Sequence, residues 1–252
     1  MKRYIYNYET VVSFSEPVIN HSLLLRCQPV QGLYMTIDEE YLIIPPDFSV
    51  RRGRDQFNNR ILYGGLRDPH SSLAYISAGI VSMSPYVIRN GNEPSPIWLV
   101  PTHLTNIPQS DAVELTGSVA DDALGICHKV YEMMTYVPFA TDMETTAATV
   151  LKCPQGVCQD YAHLMIAFCR VSGIPARYAC GFMEGEGETH AWVEVYDGYS
   201  WLGFDPTNDC RIVYGYVKLA HGRDAADCPV SRGIYAGQAF QQTQINVMLK
   251  EI

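Results

Sequence analysis

The sequence predicts an α+β fold in two parts: an N-terminal antiparallel, sandwich-like β domain over residues 1–106, then an α+β domain over residues 107–252. Three observations carry this reading. Period-two alternation dominates the first part. Helical periodicity opens the second, and strand patterns close it. Charge also divides at the boundary: residues 1–106 hold nine basic and nine acidic side chains, net zero, whereas residues 107–252 hold nine basic and eighteen acidic, net −9.

The β part is built from short alternations. Tyr4, Tyr6 and Tyr8 share one strand face, and Leu23, Leu25 and Cys27 share another. Leu73 to Met83 alternates again, while Pro45-Pro46, Gly64-Gly65 and Asn90-Gly91 read as punctuation between strands. Arg51 to Arg60, RRGRDQFNNR, is basic, but it lacks the interleaved aromatic platform on which nucleic-acid bases stack and reads as a solvated loop. Glu93 to Pro108, with four prolines, reads as the linker.

In the second part Asp121 and Asp122 stand where a helix N-terminus favours acids, and Ile126, Val130, Met133 and Val137 continue that helix. Thr145 to Leu151 reads as a short helix leading into Cys153 to Gly181, CPQGVCQDYAHLMIAFCRVSGIPARYACG. Pro154 and Gly156 hold the approach in a turn. Ala162, Met165, Ile166 and Cys169 then recur at helical spacing, and Ser172, Gly173 and Pro175 stop the helix. Cys158 falls in the first turn, where backbone N–H groups lack partners and the macrodipole is positive. Such a site favours a thiolate and offers donors to an oxyanion. A lone cysteine on a core helix is ordinarily a packing residue; the residues downstream argue otherwise.

Thr189 to Asp197, THAWVEVYD, alternates with Ala191, Val193 and Val195 on one face and His190, Trp192, Glu194 and Tyr196 on the other. This is the pattern of a half-buried strand with a histidine at its leading end. Asp197-Gly198 is a hairpin turn, Trp201 to Phe204 the returning strand, and Asp205-Pro206 its stop. Nearly equal strand lengths bring His190 and Asp205 to the same end. Thiol, imidazole and carboxylate thus follow in chain order, each at the end of an element. In a triad His190 deprotonates Cys158, and Asp205 orients the imidazole and stabilises its charged form.

GVCQDYAHLMIAFCRVSGIPARYACGF followed by HAWVEVYDGYSWLGFDPTN resembles the core of the bacterial transglutaminase-like superfamily, whose members are described as transglutaminase-like enzymes or cysteine proteases. The resemblance extends to HGRDAADCPVSRGIYAG (His221 to Gly237) and back to LRCQP (Leu25 to Pro29) and DQFNNR (Asp55 to Arg60). It implies a papain-like core in the second part and a Cys-His-Asp triad on Cys158, His190 and Asp205. One departure bears on the chemistry. Animal transglutaminases use a tryptophan upstream of the nucleophile, but the three tryptophans here are Trp98, Trp192 and Trp201. The expectation is therefore peptide or isopeptide hydrolysis through a thioester. Transamidation, or a non-catalytic peptide-binding module on the same fold, are the alternatives.

Other residues are weighed against plainer roles. Glu184, Glu186 and Glu188, spaced by Gly185 and Gly187, suit either a mobile acidic rim before His190 or an ordinary solvated hairpin loop. Cys153 reads as a spectator rather than a resolving thiol. Gln155 is a weak candidate for an oxyanion donor. Gly222-Arg223-Asp224 reads as a structural turn. Neither Cys-x-x-Cys nor His-Glu-x-x-His occurs, which leaves only a remote zinc set of Cys158, His163 and His190; no metal or cofactor is expected. The acidic second part argues against DNA or anionic lipid as substrate and for neutral or cationic peptides. No stretch nears the ~20 apolar residues of a membrane span. The start, MKRYIYNYETVVSF, alternates and lacks a signal-peptide block, so the expected location is cytoplasmic, with the eight cysteines reduced.

Overall fold

A computed structural model describes residues 1–32, 34–45, 47–89 and 95–252. Pro46, the Asn90-Gly91 turn and the first two residues of the expected linker lie outside them. Strands β1 (Lys2–Leu25), β2 (Met35–Ile43), β3 (Ser49–Arg54), β4 (Arg60–Leu66), β5 (His70–Met83) and β6 (Val87–Arg89) precede helix α1 (Val119–Met133). Next come β7 (Thr135–Tyr136), α2 (Ala147–Lys152), β8 (Gln155–Gly156) and α3 (Cys158–Val171). The chain continues through β9 (Ala176–Met183), β10 (Gly185–Gly187), β11 (His190–Tyr196), β12 (Ser200–Asp205) and β13 (Cys210–Arg211). Strands β14 (Tyr216–Gly222), β15 (Ser231–Ala236) and β16 (Gln241–Glu251) follow.

These elements stack in three layers. An eight-stranded sheet is organised along β1, which pairs with β16, β15, β4 and β5. The middle layer is a six-stranded sheet in which β11 lies between β9 and β12, with β14, β13 and β6 added. Helices α1, α2 and α3 cover its far side. The alternation of β1 drives the first contact: Tyr4, Tyr6 and Tyr8 are wholly buried and share a core with Phe182, Trp192, Val217 and Leu219. Phe182 stacks 5.6 Å from Tyr6 and 5.3 Å from Tyr8, centroid to centroid. On the opposite face Ala191, Val193 and Val195 pack with Leu164, Met165 and Phe168 of α3.

This layering changes several expectations. The sheet-on-sheet packing joins the two sequence parts instead of closing within the first, and β16 pairs with β1 from Tyr4↔Glu251 to Phe14↔Gln241. Both sheets and the core between them draw on residues from either side of 106. Strand β11, expected to be half-buried, is buried on both faces beyond His190, because the middle sheet is covered on both sides. Gly64 and Gly65 lie inside β4, not in a turn; a Cβ on Gly64 would stand 1.6 Å from the Ser49 carbonyl oxygen, so glycine there admits the close approach of β3. Arg51 to Arg54 likewise form a strand, with Asp55 to Asn59 as the turn into β4. Asp55 accepts the Phe57 and Asn59 N–H groups, both at 2.9 Å. Helix α1 stops at Met133, short of Val137, and α3 ends before Gly173, whose φ of +82° suits the residue past a helix C-terminus. Among the described residues no helix is long and apolar enough to cross a membrane.

Because the core is shared, urea unfolding followed by both tryptophan fluorescence and far-ultraviolet dichroism should give one coincident transition. Phe182→Ala should shift that whole transition by about 3–5 kcal/mol, the usual cost of a large cavity between packed layers. Two separated transitions, with only one moved by the substitution, would contradict the shared core.

Candidate active site

Cys158 is set by the start of α3. The Asp160 carboxylate turns back to accept the Val157 N–H at 2.8 Å and the Thr141 hydroxyl at 2.6 Å, tying the helix N-terminus to the preceding loops. Gly156 makes room for it: a Cβ there would lie 2.4 Å from an Asp160 carboxylate oxygen. Burial pushes the Asp160 carboxyl up despite these donors. Cys158 is partly exposed, at the first residue of the helix.

His190 opens β11 opposite Gly181 of β9. Its Nε2–H donates to Asp205 Oδ2 at 2.7 Å, and the imidazole also interacts with the Cys158 thiol. Burial works against the charged ring, but the Asp205 hydrogen bond and the Cys158 contact outweigh it and hold the pKa up to about 10. Asp205 ends β12 and is fully buried. Its Oδ2 also accepts Asn208 Nδ2 and the Tyr216 hydroxyl, both at 2.7 Å, while Oδ1 accepts the N–H groups of Thr207 at 2.9 Å and Asn208 at 3.3 Å. Burial alone would raise this carboxyl; His190, Asn208 and Tyr216 hold it below the usual carboxylate range.

The structure therefore brings Cys158, His190 and Asp205 into one chain of contacts. Asn208 and Tyr216 were not singled out from the sequence. For Asn208 a signal exists, since Asp-Pro-Thr-Asn is a sequence in which an aspartate binds its own following backbone; Tyr216, two strands further on at the start of β14, has none.

Two cavities of about 520 and 540 Å³ meet at this chain, and both are lined by Val157, Cys158, Glu188, Thr189 and His190. The first runs beneath the eight-stranded sheet, past Tyr8, Val12, Leu23 and Ile245. The second lies between Tyr136, Pro138 and Phe139 on one side and Glu184 to Glu188 on the other. The glutamates are not a plain loop, because β10 pairs Gly185–Gly187 with Val247–Leu249. The remaining candidates stand apart. Cys153 and Gln155 are exposed and line neither cavity. His163 is wholly buried; its Nε2 accepts the Ala225 N–H at 3.1 Å, and burial lowers its pKa to about 4. Among the described residues no His, Cys, Asp and Glu side chains cluster as a metal site. Arg223 pairs with Asp227 at 2.8 Å as a turn brace, and all eight cysteines are free thiols.

The chain belongs to the transglutaminase-like superfamily, whose family model matches residues 110–206. The Mycobacterium tuberculosis "Uncharacterized protein Rv2569c" is 30% identical over 254 aligned residues, covering 85% of this chain and 78% of that one. A shorter match, 31% identical, covers 41% of this chain and 18% of a Pseudomonas aeruginosa protein named protein-glutamine gamma-glutamyltransferase. In fold, the chain is similar to a crystal structure from Cytophaga hutchinsonii named "Putative Cysteine Protease", with a TM-score of 0.82 at 23% identity over 100% of this chain and 91% of that one.

The raised His190 pKa makes a measurable link to stability. A histidine raised from 6.5 to about 10 stabilises the fold fully below pH 6.5, and that contribution is lost as pH rises through about 10. Asp205→Asn should lower the His190 titration midpoint seen by NMR and flatten the fall in stability across that window. An unchanged midpoint would mean that the carboxylate does not hold the imidazolium.

Proposed function

We propose that this protein is a cysteine-dependent acyl-transfer enzyme that hydrolyses a peptide or isopeptide bond through a thioester. The observation that carries the reading is the line from Cys158 through His190 to a fully buried Asp205, lying where two open cavities meet. His190, beside the sulfur, takes the thiol proton as general base. The thiolate attacks the amide carbonyl, and the oxyanion that forms faces the unpaired N–H groups at the start of α3. His190 gives its proton to the departing amine, leaving a Cys158 thioester. Water then attacks that thioester, His190 takes the water's proton, and collapse releases the acid and restores the thiolate. Asp205 keeps its charge throughout and holds the ring in position.

Transamidation differs only in the second step, where an amine must outcompete water at about 55 M. The known device for this is a shielded channel beside the nucleophile. None of Trp98, Trp192 and Trp201 lines either cavity: Trp192 lies in the inter-sheet core, and Trp98 and Trp201 pack around Arg177. The absence of an indole beside Cys158 in either cavity favours water as the acceptor.

Two measurements test this. Limiting iodoacetamide at mildly acidic pH should label Cys158 ahead of the other seven cysteines, and His190→Ala should slow that labelling; uniform labelling, or Cys153 reacting first, would count against the nucleophile. With a reactive acyl donor and millimolar primary amine, the released product should be mainly free acid, and Cys158→Ala should abolish its release. A majority of amine adduct would make the protein a transferase instead.

A further inference from the structure

Strand β16 is hydrogen-bonded to β1 along one side from Glu251 to Gln241, in unbroken register. Its other side is only partly used. There β10 pairs with Val247, Met248 and Leu249, and the chain then turns away through Glu188 and Thr189 so that His190 can open β11 beside Gly181. Among the described residues no strand pairs with Gln241 to Asn246 on that outer side. Beneath this stretch of β16, against the face of the sheet, lies the 520 Å³ cavity. Gln241, Thr243 and Ile245 stand on one wall, Glu188, Thr189 and His190 on another, and Cys158 lines the same space.

An unpaired strand edge is a template for another chain, and proteins ordinarily blunt it with lysine, proline, an inward charge or a bulge. The segment Gln241 to Asn246, QQTQIN, carries none of these. Its exposed positions are polar and uncharged, so the main chain is open without being sticky. The edge also demonstrably accepts an antiparallel neighbour, since Gly185–Gly187 occupies its next three positions.

We propose that the vacant edge of β16, Gln241 to Asn246, receives the main chain of an extended polypeptide as an added strand, running antiparallel to β16 and leading its scissile carbonyl to Cys158. Main-chain pairing supplies the binding and alternate side chains enter the cavity under Tyr8, Val12 and Ile245. The substrate class is accordingly an unfolded or locally extended segment, not a small amide and not a side chain on a rigid surface. That the bound segment is also cleaved rests on the acyl-transfer reading above; that it binds does not.

The test uses the full chain carrying Cys158→Ala and a fluorescein-labelled, acetylated heptapeptide of alternating leucine and threonine with a C-terminal lysine for solubility. Each backbone nitrogen is methylated in turn. Strand addition predicts that methylation at every second residue weakens binding about ten-fold, the loss of one main-chain hydrogen bond, while methylation between them changes it less than about two-fold. Hydrogen exchange should show new protection of the amides at 241–246. Absence of binding, equal sensitivity at every residue, or no protection at 241–246 overturns the proposal. The wild-type protein separates the two readings. Alternating sensitivity without cleavage would leave the docking edge standing and sink the acyl-transfer reading. Turnover of a small ester donor without alternation would do the reverse.

Discussion

Glu194 is a carboxylate in the middle of a strand buried on both faces, and the position of His190 depends on how that charge is met. Arg177 of β9 reaches it at 2.5 Å, Lys218 of β14 at 2.7 Å, and the Tyr86 hydroxyl at 2.6 Å. Burial alone would drive its carboxyl up, but the two cations hold it well below the ordinary range; burial in turn lowers Lys218 to about 8. A buried ionic group of this kind adds little net stability against an apolar replacement, but removing one partner costs about 3–5 kcal/mol because a charge is left unpaired. Its structural effect is registration. Strands β14, β9 and β11 cannot slide past one another without stranding a charge, so the end of β11 that bears His190 is held in place.

Three buried carboxylates then show how environment sorts chemically similar groups. Glu194 and Asp205 are each surrounded by donors and stay ionised, whereas Asp160 has fewer donors and burial raises it. Asp160 still orders the turn that presents Cys158, since its hydrogen bonds to Val157 and Thr141 do the positioning. Asp205 does a different task with five hydrogen-bonding contacts: it aligns a ring and favours its charged state. The site thus divides labour between a carboxyl that sets geometry and one that sets electrostatics.

The parts of the site that were legible in the sequence are those that end a periodic element. Cys158 begins a helical repeat, His190 begins an alternation, and Asp205 closes the strand after a two-residue turn signal; each needs only about ten neighbouring residues to be seen. The pairing of β1 with β16 needs the whole chain, and nothing local marks it. Arg51 to Arg54 reads as part of a loop because every residue of β3 is exposed, which leaves no alternation to detect. Strand β11 reads as half-buried because its second face holds His190, Glu194 and Tyr196, and only the layer above explains why such polar atoms are inside. The branching of Asp205 to Tyr216 depends on β14 lying across β9, a tertiary fact.

The wall of the first cavity is made from both ends of the described sequence, with Tyr8 and Val12 of β1 lying beside Thr243 and Ile245 of β16. Synthesis delivers these in order. While the ribosome is still adding residues beyond Asp205, the thiol, imidazole and carboxylate are already made, but β1 lacks the partner that forms its neighbouring edge. Pairings of such long sequence separation form late, after local helices and hairpins. The cleft therefore waits on synthesis of residues 241–251, and a nascent chain carries the thiol, imidazole and carboxylate before the wall that faces them is built.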